Sequence, residues 1–435
     1  MTARFTTSMF ASALVAGLSL TAVVTAHDAL EPNKLTAAEK AAGWTLLFDG
    51  TSIDQWRGYR KDGFPERGWE VDDHAIHVKS GGGGGDIITR DMYGDFELSI
   101  DFRVAERANS GIIFRVAEKH GAPWQTGPEF QILDDFGHGF GPDDIHSTGA
   151  VYDLFTPDKS KVLRPAGQYN TARLRIEDGR VEHWLNDRLI ARYRIDDEEW
   201  RSRIAGSKFN PYEGFGVQPR GHLCLQDHGD DVWFRSIKIR DLDAPLPGEV
   251  TLFNGTNLEG WGGHFNGGGS IEDAWSVEDG VLRCQGRPIG YIKTDGHYDN
   301  YVLQLEWRFD PEKGAGNSGV LLRMTGEDTV WPKSVEAQLH SGNAGDFWNI
   351  GKFRMTADPK RTNGRRTKRA KNDVEFALGE WNRYEIIVDR GDIGLFVNGH
   401  GVNRATNVEE LAGPICLQSE WAEIHFRHIR LAPIQ

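Results

Sequence analysis

The chain reads as all-β, two tandem sandwich domains of jelly-roll type, each made of two stacked antiparallel sheets. Three observations predict this. Apolar and polar residues alternate with period two through Phe96-Glu97-Leu98-Ser99-Ile100-Asp101-Phe102-Arg103-Val104, the signature of a half-buried strand. Glycine accounts for 52 of 435 residues without a collagen-like period, which suits tight turns and disfavours long helices. The pattern also occurs twice.

In chain order, the first element is a leader. Arg4 precedes an apolar stretch, and Val24-Thr25-Ala26 offers a small-x-small cleavage site, so residues 1–26 read as a secretory signal peptide. An uncleaved N-terminal anchor is the alternative. Cleavage implies a periplasmic or secreted protein with no further membrane segment. Residues 27–43 form a lead-in with brief helical patterning over 35–42.

The first domain is expected over 44–242 and the second over 249–435, joined by the proline-containing linker 243–248. Leu47-Phe48-Asp49-Gly50 recurs 205 residues later as Leu252-Phe253-Asn254-Gly255. Trp56 answers Trp261, Asn109-Ser110-Gly111 answers Asn317-Ser318-Gly319, and Glu129-x-Gln131 answers Glu336-x-Gln338. Repeats this long are whole domains rather than solenoid units. Strand-like runs follow at 173–177, 234–240, 303–308 and 385–389, and hairpins close on Asn186-Asp187 and Asn398-Gly399.

Composition narrows the partners. With 50 basic against 64 acidic residues, the formal charge is −14, so nucleic acid is not an expected partner. Three cysteines without metal-type spacing make neither a disulfide framework nor a metal knuckle. Fourteen Trp can stack on sugars, though large aromatics more often build cores.

Strand parity collects polar side chains. If Leu98, Ile100 and Phe102 face the core, then Asp101 and Arg103 face the other way, as do Glu129 and Gln131, and Gln226 and His228. The second copy offers Glu306 and Arg308, then Glu336, Gln338 and His340, then Gln418 and Glu420. Parity predicts one face for Asp101, Arg103, Arg115, Glu129, Gln131 and Gln226, and another for Glu306, Arg308, Arg323, Glu336, Gln338 and Gln418. Such carboxylates and amides suit hydrogen bonding to sugar hydroxyls.

At these motifs the chain resembles the 3-keto-disaccharide hydrolase family, also called DUF1080. The resemblance rests on Leu-Phe-Asp-Gly with a following Trp, Asn-Ser-Gly-Ile, Glu129-Phe130-Gln131-Ile132-Leu133-Asp134-Asp135 and Arg-Pro-Ala-Gly. In the second copy it rests on Asn317-Ser318-Gly319-Val320, Glu336-Ala337-Gln338-Leu339 and Gly345-Asp346-Phe347-Trp348. It implies a concanavalin A-like jelly roll and a carbohydrate substrate oxidised at C3. A C3 ketone acidifies the C2 proton, so a base can remove it and the C1 substituent can leave, with water then adding. That chemistry needs a base, an enolate stabiliser and an acid.

Candidate roles follow from residue type. Glu129 and His228 are the catalytic candidates of the first copy, and Glu336 and His340 those of the second, which Glu336-x-Gln338-x-His340 marks as the copy more suited to catalysis. The first copy would then bind or position substrate. Asp101, Arg103, Asn109, Arg115, Gln131 and Gln226 are substrate-binding candidates, as are Glu306, Arg308, Asn317, Arg323, Gln338, Trp348, Gln418 and Glu420. No cofactor is firmly implied; Asp134, Asp135 and His138 form a weak set for a divalent metal. The glycine run 81–85 reads as a flexible rim loop, and the basic run 360–371 as an exposed insertion. A non-catalytic carbohydrate-binding protein is the competing reading, because the fold serves both roles.

Overall fold

The computed structural model describes residues 31–435; the leader read over 1–26 lies outside them. Four antiparallel sheets carry the chain, as two sandwiches. In the first, an eight-stranded sheet centred on Phe96–Val104 and Val232–Asp241 packs on a five-stranded sheet. That smaller sheet runs Trp56–Gly58, Ile87–Thr89, His222–Leu225, Asn109–Val116, Glu129–Leu133. In the second sandwich a nine-stranded sheet centred on Tyr301–Phe309 packs on an eight-stranded one. The latter runs Trp261–Phe265, Gly290–Thr294, Cys416–Ser419, Gly319–Thr325, Lys333–Gln338, Phe347–Ile350, then Arg366–Thr367 and Thr362–Asn363.

Alternation explains the packing. Leu98, Ile100 and Phe102 enter the first core against Ile112, Phe114, Phe130 and Ile132; Leu303, Leu305 and Trp307 enter the second against Val320, Leu322, Val335 and Ala337. Apolar burial of this kind is the main driving force for stacking sheets. Both expected hairpins form, with Asn186, Asp187, Asn398 and Gly399 all at positive φ, as a two-residue turn matched to strand twist requires. Each turn asparagine also accepts a neighbouring strand's N–H, from Thr171 or Arg383. The lead-in helix spans Ala37–Ala41 behind a Thr36/Glu39 capping box.

The two larger sheets face each other, so they are the inner sheets and the smaller partners the outer ones. Glu97 and Arg175 are buried on the first inner sheet, and Arg240 donates to both Glu97 and Glu385 of the second. Arg383 reaches back to Glu177, and His400 to Glu182. Burial opposes the charge on Glu97, but Arg240, Arg173 and Arg175 together hold its carboxyl well below the usual range. The layer order is therefore outer, inner, inner, outer, and the two outer faces point away from each other.

Two expectations need correction. A helix absent from the sequence reading spans Glu198–Ala205, capped by Asp197 and anchored by buried Trp200. The run 81–85 is not a free rim loop: a Cβ on Gly82 would lie 2.4 Å from Gly68 Cα, and one on Gly84 2.5 Å from the Arg67 carbonyl oxygen. Glycine is needed there for close backbone approach. The basic run 360–371 is a mostly exposed insertion, as expected, tied to the fold where Arg366 pairs with buried Asp346, Arg369 with Glu375, and Lys371 lies over Trp184 of the first sandwich.

Candidate functional site

Each repeated motif has a distinct structural task on its outer face. In Asn109-Ser110-Gly111, the Ser110 hydroxyl donates to the Gln226 carbonyl at 2.7 Å, and in Asn317-Ser318-Gly319 Ser318 donates to Gln418 at 2.8 Å. These bonds pin the amide-bearing strand beside the motif. The glycine makes room: a Cβ on Gly111 would lie 2.3 Å from Glu129 Oε1, and one on Gly319 2.7 Å from Glu336 Oε1. Gln131 and Gln338 brace the motif's edge, their side-chain oxygens accepting the N–H of Ile132 and Leu339.

Over those glycines lie carboxyl groups pushed out of their normal range. Burial raises Glu129 to about 8; nearby Lys208 opposes the rise and the like charge of Asp86 adds to it. Burial likewise raises Asp86 to about 6, against a hydrogen bond from the Asp227 N–H. In the second copy burial and the like charge of Glu420 raise Glu336 to about 8, with Arg365 opposing. Burial raises Glu420 to about 7, against the Asn317 amide and Arg365. Each face thus has a carboxyl pair that holds one proton near neutral pH.

Beside these pairs are amide oxygens without protein partners. The buried side-chain oxygens of Asn109 and Gln226 have none, nor do those of Asn317 and Gln418, and the Gln418 amide nitrogen is equally unpaired. An orphaned buried polar atom is costly, and its recurrence at matching positions marks groups suited to hydrogen-bond a polar ligand. Trp348 stands directly across the strand pair from Glu336 and has an unpaired indole N–H. An aromatic face, amides and a protonated carboxyl are suited to a sugar.

The structure brings together Glu129, Asn109, Gln131 and Gln226 in the first copy, and Glu336, Asn317, Gln338, Trp348, Gln418 and Glu420 in the second. It does not bring the others there. Asp101 and Glu306 belong to inner sheets, Asp101 accepting from the Thr171 hydroxyl and Glu306 from Arg427. Arg103 stacks on Trp233 and Arg308 on Trp381, also on inner sheets. Arg115 lies 3.8 Å from Asp95, and Arg323 donates to the carbonyls of Glu409 and Arg390. Both take positive φ at irregularities in their strands, which breaks the alternation that parity assumes. Period two assigns a side chain to a face of its own strand; it does not say which sheet the strand joins.

The histidines are also misplaced. The strand of Glu336 ends at Gln338, and His340 lies in the following turn, bonded to the Ser341 carbonyl and Asn343. His228 is exposed without a hydrogen bond, while Asp86, which the sequence reading passed over, joins Glu129. Its sequence signal was its place after the glycine run, immediately before a short strand. Lys208, Tyr152 and Arg365 were also missed; Tyr152 stands against Glu129 as Trp348 does against Glu336, whereas Lys208 and Arg365 come from loops the two copies do not share.

The proposed metal set is not assembled. Asp134 accepts from the Arg107 N–H, Asp135 pairs with Lys161 at 2.9 Å, and His138 bonds the Arg107 carbonyl. Among the described residues one trio has potential ligand atoms within 4.8 Å of one another: Asp310, Glu423 and His425. There His425 Nδ1 accepts the Arg308 N–H and Nε2 lies 3.0 Å from Glu423 Oε1, so both ring nitrogens are already engaged by protein groups.

The model of a family described as the 3-keto-alpha-glucoside-1,2-lyase-like domain matches residues 43–240 and again 248–432. A Bacteroides thetaiotaomicron protein named 3-keto-disaccharide hydrolase is 31% identical over 245 residues, 49% of this chain and 84% of its own length. A crystallised protein of Parabacteroides distasonis, described as a glycosyl hydrolase, is 35% identical over 49% of this chain and 100% of its own, with a TM-score of 0.45. A Bacillus licheniformis beta-glucanase matches 43% of this chain and 99% of its own at 11% identity, with a TM-score of 0.31.

Proposed function

The chain belongs to the 3-keto-alpha-glucoside-1,2-lyase-like domain family in both halves, and from that premise we propose that it cleaves 3-keto-glycosides by proton abstraction and elimination. The observation that carries the reading is the carboxyl pair on each outer face, Asp86 with Glu129 and Glu420 with Glu336, beside amide oxygens that lack protein partners. In each pair the member with the lower value is ionised first and is the base: Asp86 in one site, Glu420 in the other.

The base takes the C2 proton, acidic because the C3 ketone accepts the electron pair as an enolate. When that pair returns to form the C1–C2 double bond, the C1–O bond breaks. The protonated partner, Glu129 or Glu336, gives its proton to the departing oxygen. Addition of water at C1 then gives net hydrolysis. Asn109 with Gln226, and Asn317 with Gln418, hold the hydroxyls, and Trp348 offers a stacking face at the second site.

Because the outer faces point apart, a small glycoside bound on one is out of reach of the other. The expectation that the first copy positions substrate for the second is therefore replaced by two separate sites. Export to the periplasm or beyond belongs to this proposal and rests on the residue pattern of 1–26 alone. The test is incubation with an aryl 3-keto-glucoside and its unoxidised parent, following release of the aglycone. Release from the keto form alone supports the proposal; binding of both without release supports a carbohydrate-binding module.

A further inference from the structure

Elimination through an enolate requires a cation or strong donor where charge develops on O3, and the arginines expected to bind substrate, Arg103, Arg115, Arg308 and Arg323, are occupied elsewhere. We propose that Lys208 in the first site and Arg365 in the second are the enolate-stabilising catalytic residues, recruited from loops that the two repeats do not share. The inference rests on the elimination reading above and adds its missing electrophile.

Arg365 lies in the turn of the hairpin formed by Thr362–Asn363 and Arg366–Thr367, which extends the second outer sheet beside Phe347–Ile350. Its carbonyl accepts the Asn349 N–H, fixing the backbone. The guanidinium carbon stands 5.0 Å from the centre of the Trp348 ring, and Trp348 is the residue directly opposite Glu336. The head group is exposed and makes no hydrogen bond or ion pair, so its donors are available to a ligand. The first copy has no such hairpin. Its outer sheet ends at Glu129–Leu133, and there the chain after the helix Glu198–Ala205 brings Lys208 in. The Lys208 ammonium lies 4.1 Å from the centre of the Tyr152 ring, and the Tyr152 N–H donates to the Glu129 carbonyl at 3.1 Å.

In both sites, then, a loop cation rests on an aromatic ring adjacent to the buried carboxyl. As the base withdraws the C2 proton, the bonding pair moves into the C3 carbonyl and the negative charge on O3 meets this cation. The pair then returns to expel the C1 oxygen, which takes the carboxyl proton. The two cations are not equivalent. A guanidinium donates two parallel N–H groups and can span O3 and a neighbouring hydroxyl, whereas an ammonium acts as a point charge. The second site is therefore the one sensitive to the configuration of the hydroxyl beside the ketone.

The test isolates each site in the full chain. Glu129→Gln leaves the second site and Glu336→Gln the first, with turnover of an aryl 3-keto-glucoside as the readout. In the Glu129→Gln background, Arg365→Ala lowers kcat by about 10²–10³-fold with KM within about threefold. Arg365→Lys restores at least about tenfold of that loss, and Lys208→Ala does nothing there. In the Glu336→Gln background the two alanine variants exchange behaviour. An active parent whose kcat stays within about threefold on Arg365→Ala, or equal losses from one variant in both backgrounds, overturns this assignment alone. A parent inert toward the 3-keto-glucoside overturns it together with the elimination reading.

Discussion

Arg240 and Glu385 lie 145 residues apart in the chain, one in each sandwich, and meet at 2.6 Å between Nη1 and Oε2. The contact sits between the two inner sheets, where Glu97 also holds Arg240 and Gln304 also donates to Glu385. It makes the pair of domains a single four-layer body and turns their candidate sites outward.

Glu385→Ala should loosen that body without touching either site. The expected cost is about 2 kcal/mol, below the ~3–5 kcal/mol of a fully orphaned buried charge, because Glu97 still holds Arg240. Calorimetry should show one cooperative unfolding transition in the parent separating into two in the variant, with turnover retained.

The two buried carboxyls should oppose stability at high pH. Glu129 and Glu336 have folded values of about 8, far above the ~4.3 of an unfolded glutamate. Groups raised on folding give their stability below the unfolded value and lose it as pH rises through the folded one. The parent should therefore weaken between about pH 4.5 and 8. Glu129→Gln with Glu336→Gln should match it at pH 5 and exceed its Tm by roughly 5–10 °C at pH 9.

Single-site losses should add. With the faces turned apart, the turnover left in Glu129→Gln and that left in Glu336→Gln should sum to the parent rate, as expected for distant sites. A rate near zero in either variant would assign all chemistry to the copy that carries the substitution.

Gly319→Ala should impair chemistry more than folding. Its Cβ would lie 2.3 Å from Gln418 Oε1 and 2.7 Å from Glu336 Oε1, ends of side chains that can move aside. The shift displaces both groups from their working positions, and a 1 Å error of this kind can cost about 10²-fold in rate. Turnover at the second site, measured in the Glu129→Gln background, should fall by about that factor while Tm changes by only a few degrees.

A site proton should also show in the rate profile. With Asp86 near 6 and Glu129 near 8, the first site should be active between those values, rising as the base ionises and falling as the acid loses its proton. The second should begin its rise later, since Glu420 lies near 7. Separate kcat profiles in the two single-site backgrounds test the order.

Much of the molecule was determined by local sequence. Alternation set the strands and their core-facing side chains, because a pleated strand must bury one face; Asn186-Asp187 and Asn398-Gly399 set their turns, because those residues accept positive φ. The repeat of Asn-Ser-Gly and Glu-x-Gln marked the half of each site that lies on paired strands. Tertiary structure decided the rest. Which sheet a strand joins sent Asp101, Arg103, Glu306 and Arg308 to the inner sheets, and strand irregularities withdrew Arg115 and Arg323. Asp86 came within electrostatic reach of Glu129 only through sheet pairing, and Lys208 and Arg365 reached their carboxyls through loops with no counterpart in the other copy. Side-chain alternation is a property of a few neighbouring residues, whereas the meeting of an acid, its partner and a cation depends on how distant segments pack.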